Sequence, residues 1–144
     1  MGLMGLMGTA VELGTQVIEG NVEQGWGSWD HATQTMTLKP GMGKVQRRSV
    51  LARMLGHAAL GHTEASPQAE AEAEAQAWAA RQLISAGRVA ATLKAVNWVG
   101  LLARELEVMP SDVAAYYGSL SDEERLGIRK MIETTPCGYP RGSG

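Results

Sequence analysis

The chain has 144 residues and a mass of 15.3 kDa, close to the usual size of a single domain. Hydrophobic residues make up 44% and charged residues 19%, a balance that allows a buried core and argues against disorder. No apolar run reaches the roughly 18 residues of a membrane helix, and the apolar start lacks the basic region of a signal peptide. We therefore expect one cytoplasmic domain over residues 1–133, with a disordered Gly- and Pro-rich tail at 134–144.

The N-terminal half predicts a small sheet followed by two longer helices. Apolar residues at helical spacing favour a short helix first, and alternating segments then indicate three strands, the last two forming a hairpin around residues 31–34. Pro40 and Gly41 end the sheet, and Ser66 with Pro67 marks the start of the second long helix. The predicted segments are a helix at 3–13, strands at 15–19, 26–30 and 35–38, and helices at 44–60 and about 67–84.

Four shorter helices are expected after this point, at 88–96, 98–107, 111–118 and 122–132. The pattern as a whole predicts an α+β fold with a short three-stranded sheet, a central helix pair and a small helical C-terminal region.

The segment 50–62 and the helix after it carry most of the chemical information. Zinc peptidases place two histidines on one helix face in an H-E-x-x-H motif, and the glutamate activates the water bound to the metal. A third ligand comes from another helix. Here the first helix ends in LGHAALGH at residues 55–62, and EAEAQAWAARQLIS follows at 72–85.

With the hairpin sequence WGSWD at 26–30 and QRRSVLA at 46–52, this combination resembles the ImmA/IrrE family of zinc-dependent metallopeptidase-like proteins of phages and mobile elements. The resemblance covers roughly residues 3–120 and implies a zincin-like scaffold. It places Arg53 at the first zinc histidine, Met54 at the catalytic glutamate, His57 at the second histidine and Glu74 at the third ligand.

Two of these four positions cannot perform the family's chemistry. The thioether of Met54 has no basic oxygen and cannot take a proton from water. Arg53 is permanently cationic and would repel a divalent ion. His57 and Glu74 supply two ligands where catalytic zinc sites use three. We therefore expect no catalytic residue and no cofactor; zinc belongs only to an alternative in which His62 or His31 completes the site.

Each of these residues also has a purely structural interpretation. Met54 has the spacing of a core residue, and His57 has that of a buried histidine with a hydrogen-bond partner. His62 is expected in a turn role after Gly61, and His31 at the surface of the hairpin corner. Glu74 is expected to face the core.

A buried carboxylate needs a cation. The sequence therefore predicts a buried ion pair between Arg53 and Glu74, with His57 beside it and the guanidinium standing where the zinc charge stood.

Residues 98–120 have the spacing of a helix-turn-helix, but the would-be recognition helix at 111–118 carries Asp112 and no Lys or Arg. Because DNA affinity comes largely from basic side chains on phosphates, nucleic acid is not the expected partner. The leading hypothesis is a catalytically degenerate protein that binds a protein partner, which the resemblance implies is a helix-turn-helix repressor or a host protein. Two alternatives stay open: an active zinc peptidase that cleaves such a repressor, and a DNA-binding regulator that uses the five basic residues of segment 39–53.

Overall fold

A computed structural model describes residues 2–95 and 99–134. Within these residues the chain forms seven helices and a three-stranded sheet, which confirms the predicted α+β class. The elements, in chain order, are α1 (Leu3–Glu12), β1 (Gln16–Glu19), β2 (Gly27–Asp30), β3 (Thr35–Leu38), α2 (Lys44–Ala59), α3 (Gln68–Leu83), α4 (Ala86–Ala95), α5 (Val99–Leu106), α6 (Pro110–Ser119) and α7 (Asp122–Thr134).

The sheet has the order β1-β3-β2, so β3 is central and β2 is an edge strand. β2 and β3 form the predicted hairpin and pair antiparallel, with Trp29 opposite Met36. β1 pairs parallel with β3, with Val17 opposite Met36. Met36 and Leu38 are fully buried, because this face of the sheet packs against α2.

The central helix pair is α2 and α3, and it packs closely because small residues meet at the crossing. A Cβ atom added to Gly56 would lie 2.7 Å from the carbonyl oxygen of Ala75. Gly27 plays the same part between β2 and α2, since a Cβ there would lie 2.7 Å from Cγ1 of Val50. These two glycines set the distances between the three elements that surround the candidate site.

The C-terminal helices continue the same core. Leu102 and Leu106 of α5 are buried with Leu51 and Leu55 of α2. Asp112, at the start of α6, is 2% exposed and accepts hydrogen bonds from Ser49 Oγ and from the Met109 backbone N–H, both at 3.1 Å. Burial raises the pKa of this carboxyl group, and its hydrogen bonds and Arg53 and Arg48 act in the opposite direction.

None of the helices in the described part of the chain is long and apolar enough to cross a membrane. The predicted tail at 134–144 lies outside the described residues apart from Thr134, which ends α7. Residues 96–98, which include the first residue of the predicted helix-turn-helix segment 98–120, also lie outside them.

Candidate binding cleft

A cleft of about 390 Å³ lies between β2, the C-terminal part of α2 and the start of α3. Met54 and His57 line it from α2, Glu72 lines it from α3, and Trp29 lines it from β2. The loop between the two helices, which includes His62, adds four lining residues, and the others come from the hairpin region and the start of α3. The cleft therefore lies where the sequence pattern located the chemistry.

Among the described residues no strand pairs with the outer edge of β2, and the cleft lies next to this strand. Lys39 N–H donates to the carbonyl oxygen of Trp26 at 2.8 Å, which fixes the hydrogen-bonding register of the hairpin. Because antiparallel pairs alternate, Ser28 also bonds towards β3, whereas the backbone groups of Gly27 and Trp29 point away from it. Two residues that line the cleft thus present backbone donors and acceptors along a free strand edge.

The end of α2 explains how two histidines meet. Gly61 has φ of 69°, a left-handed conformation that glycine adopts at little cost. Its N–H donates to the carbonyl oxygen of Ala58 at 3.2 Å, and the His62 N–H donates to that of His57 at 3.0 Å. This pair of bonds is a Schellman motif, and it folds His62 back onto the helix that carries His57.

The two imidazole rings are in direct contact. Their Nδ1 atoms lie 2.9 Å apart, and the ring centroids lie 5.1 Å apart in an edge-to-face arrangement. The His62 carbonyl oxygen accepts a hydrogen bond from Trp29 Nε1 at 3.0 Å, which ties this turn to β2. Both histidines are more than nine-tenths buried. His57 therefore has the buried, hydrogen-bonded role of its structural interpretation, and His62 lies in the predicted turn.

The predicted Arg53–Glu74 pair is wrong, because Arg53 faces Glu72. Arg53 Nε lies 3.8 Å from Glu72 Oε2, and Glu72 Oε1 lies 3.3 Å from His57 Nε2. Glu74 is 60% exposed and lies 3.7 Å from His62 Nε2. The face of α3 that packs on α2 is centred between Ala71 and Ala75, so Glu72 and Glu74 flank it at about 80° on opposite sides.

The Arg53–Glu72 contact is also not a buried ion pair. The side chains are 31% and 49% exposed, and 3.8 Å is too long for a hydrogen bond. Arg53 Nε itself is shielded from solvent and has no hydrogen-bond partner in the described part of the chain. Glu72 therefore contacts both Arg53 and His57, and sequence reasoning did not single it out.

The electrostatics of His57 follow from this arrangement. Burial is the main cause that lowers its pKa, Glu72 acts to raise it, and His62 and Arg53 lower it further. The arrangement that satisfies both contacts has His57 Nε2–H directed at Glu72 and Nδ1 accepting from His62 Nδ1–H. His57 is thus held in its neutral form near pH 7.

The donor set does not fit a catalytic zinc ion. Such an ion needs three protein donors aimed at one point. Here the Nδ1 atoms of His57 and His62 face each other, and their Nε2 atoms turn to two different carboxylates. Over residues 2–95 and 99–134, no group of three or more His, Cys, Asp or Glu side chains is placed to hold a metal ion.

Met54 and His31 occupy different surroundings in the cleft wall. Met54 is 2% exposed and belongs to the core, as its spacing predicts. His31 is exposed in the hairpin corner, also as predicted, although it does line the cleft; its ring centroid lies 6.1 Å from that of Trp29. His31 thus reaches the cleft from its far side and does not join the His57–His62 pair.

The basic residues of segment 39–53 do not share one environment. Arg47 forms an ion pair with Glu19 at 2.5 Å, and Lys39 lies 5.0 Å from the centre of the Trp26 ring. Arg48 is only 7% exposed, so it does not belong to a basic surface with the others.

Comparison with family models, with curated proteins and with solved structures found no match for this chain.

Proposed function

We propose that this protein is a catalytically degenerate metallopeptidase-like protein of the ImmA/IrrE type, which binds an extended segment of a partner protein in the cleft without cleaving it. The observation that carries the proposal is the open edge of β2 beside a cleft of about 390 Å³. An exposed strand edge is a ready template for a further strand, and a neighbouring cleft supplies side-chain pockets.

The side chains in the cleft support binding over hydrolysis. Met54 supplies apolar surface where a general base would be needed. Glu72 contacts His57 Nε2 at 3.3 Å, and it also faces the guanidinium of Arg53 at 3.8 Å. His57 and His62 use one nitrogen each on one another.

The class of partner comes from the resemblance in sequence. It points to a helix-turn-helix repressor or a host protein, in the regulation of a phage or another mobile element. The small sheet with an edge hairpin over a helix pair is compatible with a zincin-like scaffold, and that scaffold is part of the proposal.

The test is selection of peptides from a random displayed library on the full chain, followed by fluorescence anisotropy with the synthetic peptides. Strand addition makes a specific demand, because only every second peptide residue directs its N–H at β2. N-methylation at those residues should abolish binding, and N-methylation at the residues between them should change Kd by less than about threefold. A scan without this alternation would overturn the proposal.

Two variants locate the binding site on the protein. Gln68→Trp, at an exposed position that lines the cleft, should weaken binding, and Gln16→Trp on the opposite edge strand β1 is its matched control. Peptides incubated with the protein and zinc should stay intact by mass spectrometry. Cleavage that a chelator stops and zinc restores would instead establish the active peptidase.

A further inference from the structure

A second pocket, of about 240 Å³, lies near the N-terminal end of α2, away from the cleft. It is bounded by the first turn of α1, by α2, by the start of α4 and by the end of α5. Its charged lining consists of Lys44, Arg48, Arg88 and Glu107, and Leu3 and Leu106 add apolar walls. The lining therefore holds an excess of two positive charges.

Arg48 is the unusual member of this lining. It is 7% exposed, and its Nε atom is shielded from solvent with no hydrogen-bond partner in residues 2–95 and 99–134. The buried carboxylate of Asp112 is close enough to interact electrostatically with Arg48, but among the described residues no ion pair joins the two. A guanidinium stays charged under all ordinary conditions, so its burial without a bound anion is unfavourable.

The other two cations strengthen the same field. Lys44 precedes Arg48 by four residues on one face of α2, and Arg88 approaches from α4. Among the described residues none of the three forms an ion pair, and Arg88 makes one side-chain hydrogen bond, from Nη2 to the Glu105 carbonyl oxygen at 3.4 Å. Three like charges thus line this pocket, against the single carboxylate of Glu107.

The backbone adds donors at this place. Gly2 and Gly43, the residues that precede α1 and α2, make no side-chain capping bond, so the first-turn N–H groups of both helices stay available. The positive ends of the two helix dipoles favour an anion there. This contribution is secondary to that of Arg48, which is buried and whose Nε makes no hydrogen bond in the described part of the chain.

We propose that this pocket binds a phosphoryl group. A phosphate monoester carries a charge of about −1.5 to −2 at pH 7, which matches the excess of two positive charges in the lining. Its three oxygens suit the fork of donors on a guanidinium, and Leu3 and Leu106 can contact the carbon of the ester. The pocket shares no lining residue with the cleft, so phosphoryl binding here does not depend on the proposed cleft function.

The experiment is isothermal titration of inorganic phosphate into the full chain at constant ionic strength, with sodium chloride as the reference. We expect saturable binding of phosphate. Lys44→Gln and Arg88→Gln remove exposed cations and should each weaken binding about tenfold, since a hydrogen bond to a charged group is lost with the charge. Glu107→Gln removes the carboxylate and should tighten binding severalfold. Arg129→Gln, an exposed cation on α7, should leave Kd unchanged.

Arg48→Met separates a binding role from a structural one. It should abolish phosphate binding while the Tm without phosphate stays the same or rises, because an apolar side chain of similar length suits a buried site better than an unpaired charge. A fall in Tm with phosphate binding retained would overturn the proposal. So would binding no stronger than that of chloride, or equal affinities across the Lys44, Arg88 and Glu107 variants, which decide the matter even if Arg48→Met does not fold.

The source of the phosphoryl group is decided by a second set of ligands. Phosphoserine and a phosphoserine peptide are titrated in parallel, with the unphosphorylated peptide as control. A peptide that binds at least tenfold tighter than phosphoserine supports the pocket and assigns its ligand to a modified protein. Equal affinities support the pocket and assign it a small phosphate ester. Binding of the unphosphorylated peptide at the same affinity would contradict the proposal.

Discussion

The two ends of α2 differ in how their charges are compensated. Near its C-terminus, His57 and Arg53 both face the carboxylate of Glu72, although Arg53 Nε makes no hydrogen bond among the described residues. Near its N-terminus, Arg48 and Lys44 lack such partners among the described residues. At the cleft end a carboxylate of the same chain faces the charged side chains, whereas at the other end the two cations can still attract an anionic ligand. We therefore expect the cleft to recognise shape and backbone and the basic pocket to recognise charge.

The largest expected effect is a loss of stability that concerns both ends of α2. Leu51 is fully buried in the middle of α2, so Leu51→Ala should lower the free energy of unfolding by about 3 kcal/mol through lost burial and a residual cavity. Urea denaturation measures this, with Leu126→Ala on the exposed side of α7 as the control, which should stay within about 0.5 kcal/mol. Similar losses in the two variants would mean that α2 is not the common core of both sites.

A substitution with a smaller effect on stability should affect binding at one end of α2 and not at the other. Gly56→Ala places a Cβ 2.7 Å from a backbone oxygen of α3, and backbone cannot rotate away as a side chain can. We expect a loss of about 2 kcal/mol from overpacking, measured by thermal denaturation. Peptide binding in the cleft should weaken, while phosphate affinity at the far end of α2 stays unchanged.

The control for this change is Gly127→Ala, where a Cβ meets nothing within 4 Å in the described residues. Since alanine favours a helix over glycine by about 0.5–1 kcal/mol, this variant should be neutral or slightly more stable. Equal destabilisation of both variants would show that the close approach of α2 and α3 is not the cause.

Acidification should act on the cleft end through His57. Because the pKa of folded His57 is lowered, the unfolded chain binds more protons just below pH 6.5, and stability is lost as the pH falls through that range. His57→Gln should make this loss smaller, as measured by urea denaturation between pH 7 and pH 5 without phosphate. Lys44→Gln, at the other end of α2, should leave the slope unchanged. A steeper slope in His57→Gln would contradict the assigned direction of the shift.

The smallest effect is expected beside the basic pocket. Arg47 and Glu19 form an ion pair with side chains 32% and 53% exposed, and such pairs contribute little in water. Glu19→Gln should change the free energy of unfolding by less than about 0.5 kcal/mol. Phosphate affinity should also stay unchanged, since neither residue lines the pocket. A large gain in affinity would show that Arg47 is a further ligand and enlarge the site.

The elements that sequence periodicity predicted agree with the structure to within about three residues. α2 was expected at 44–60 and forms over Lys44–Ala59, because its apolar positions repeat with the helical period. The hairpin was also expected, since a short polar corner separates two alternating segments. The parallel pairing of β1 with β3 was not, because local patterns do not encode which distant strand is the neighbour.

The candidate site was predicted in its location but not in its pairings. His57, His62 and Met54 all line the cleft. The choice between Glu72 and Glu74 depends on the rotation of α3 about its axis, and that rotation is set by the contact of Ala75 with Gly56. The helical positions of the alanines in α3 would have placed both glutamates at the flanks of the buried face. The burial of Arg48 had no signal in the sequence, since it comes from α1 and α5 covering the helix.

The parallel pairing of β1 with the central strand has a consequence for the order in which the chain folds during synthesis. β1 leaves the ribosome before either strand of the hairpin, yet its partner β3 is the last of the three to emerge. The hairpin can close as soon as its own residues are available, within microseconds. β1 must wait for it, and α2, which buries Met36 and Leu38 of the sheet, follows later still. The nascent sheet therefore begins with the hairpin of β2 and β3, and β1, the first strand in the sequence, joins it last.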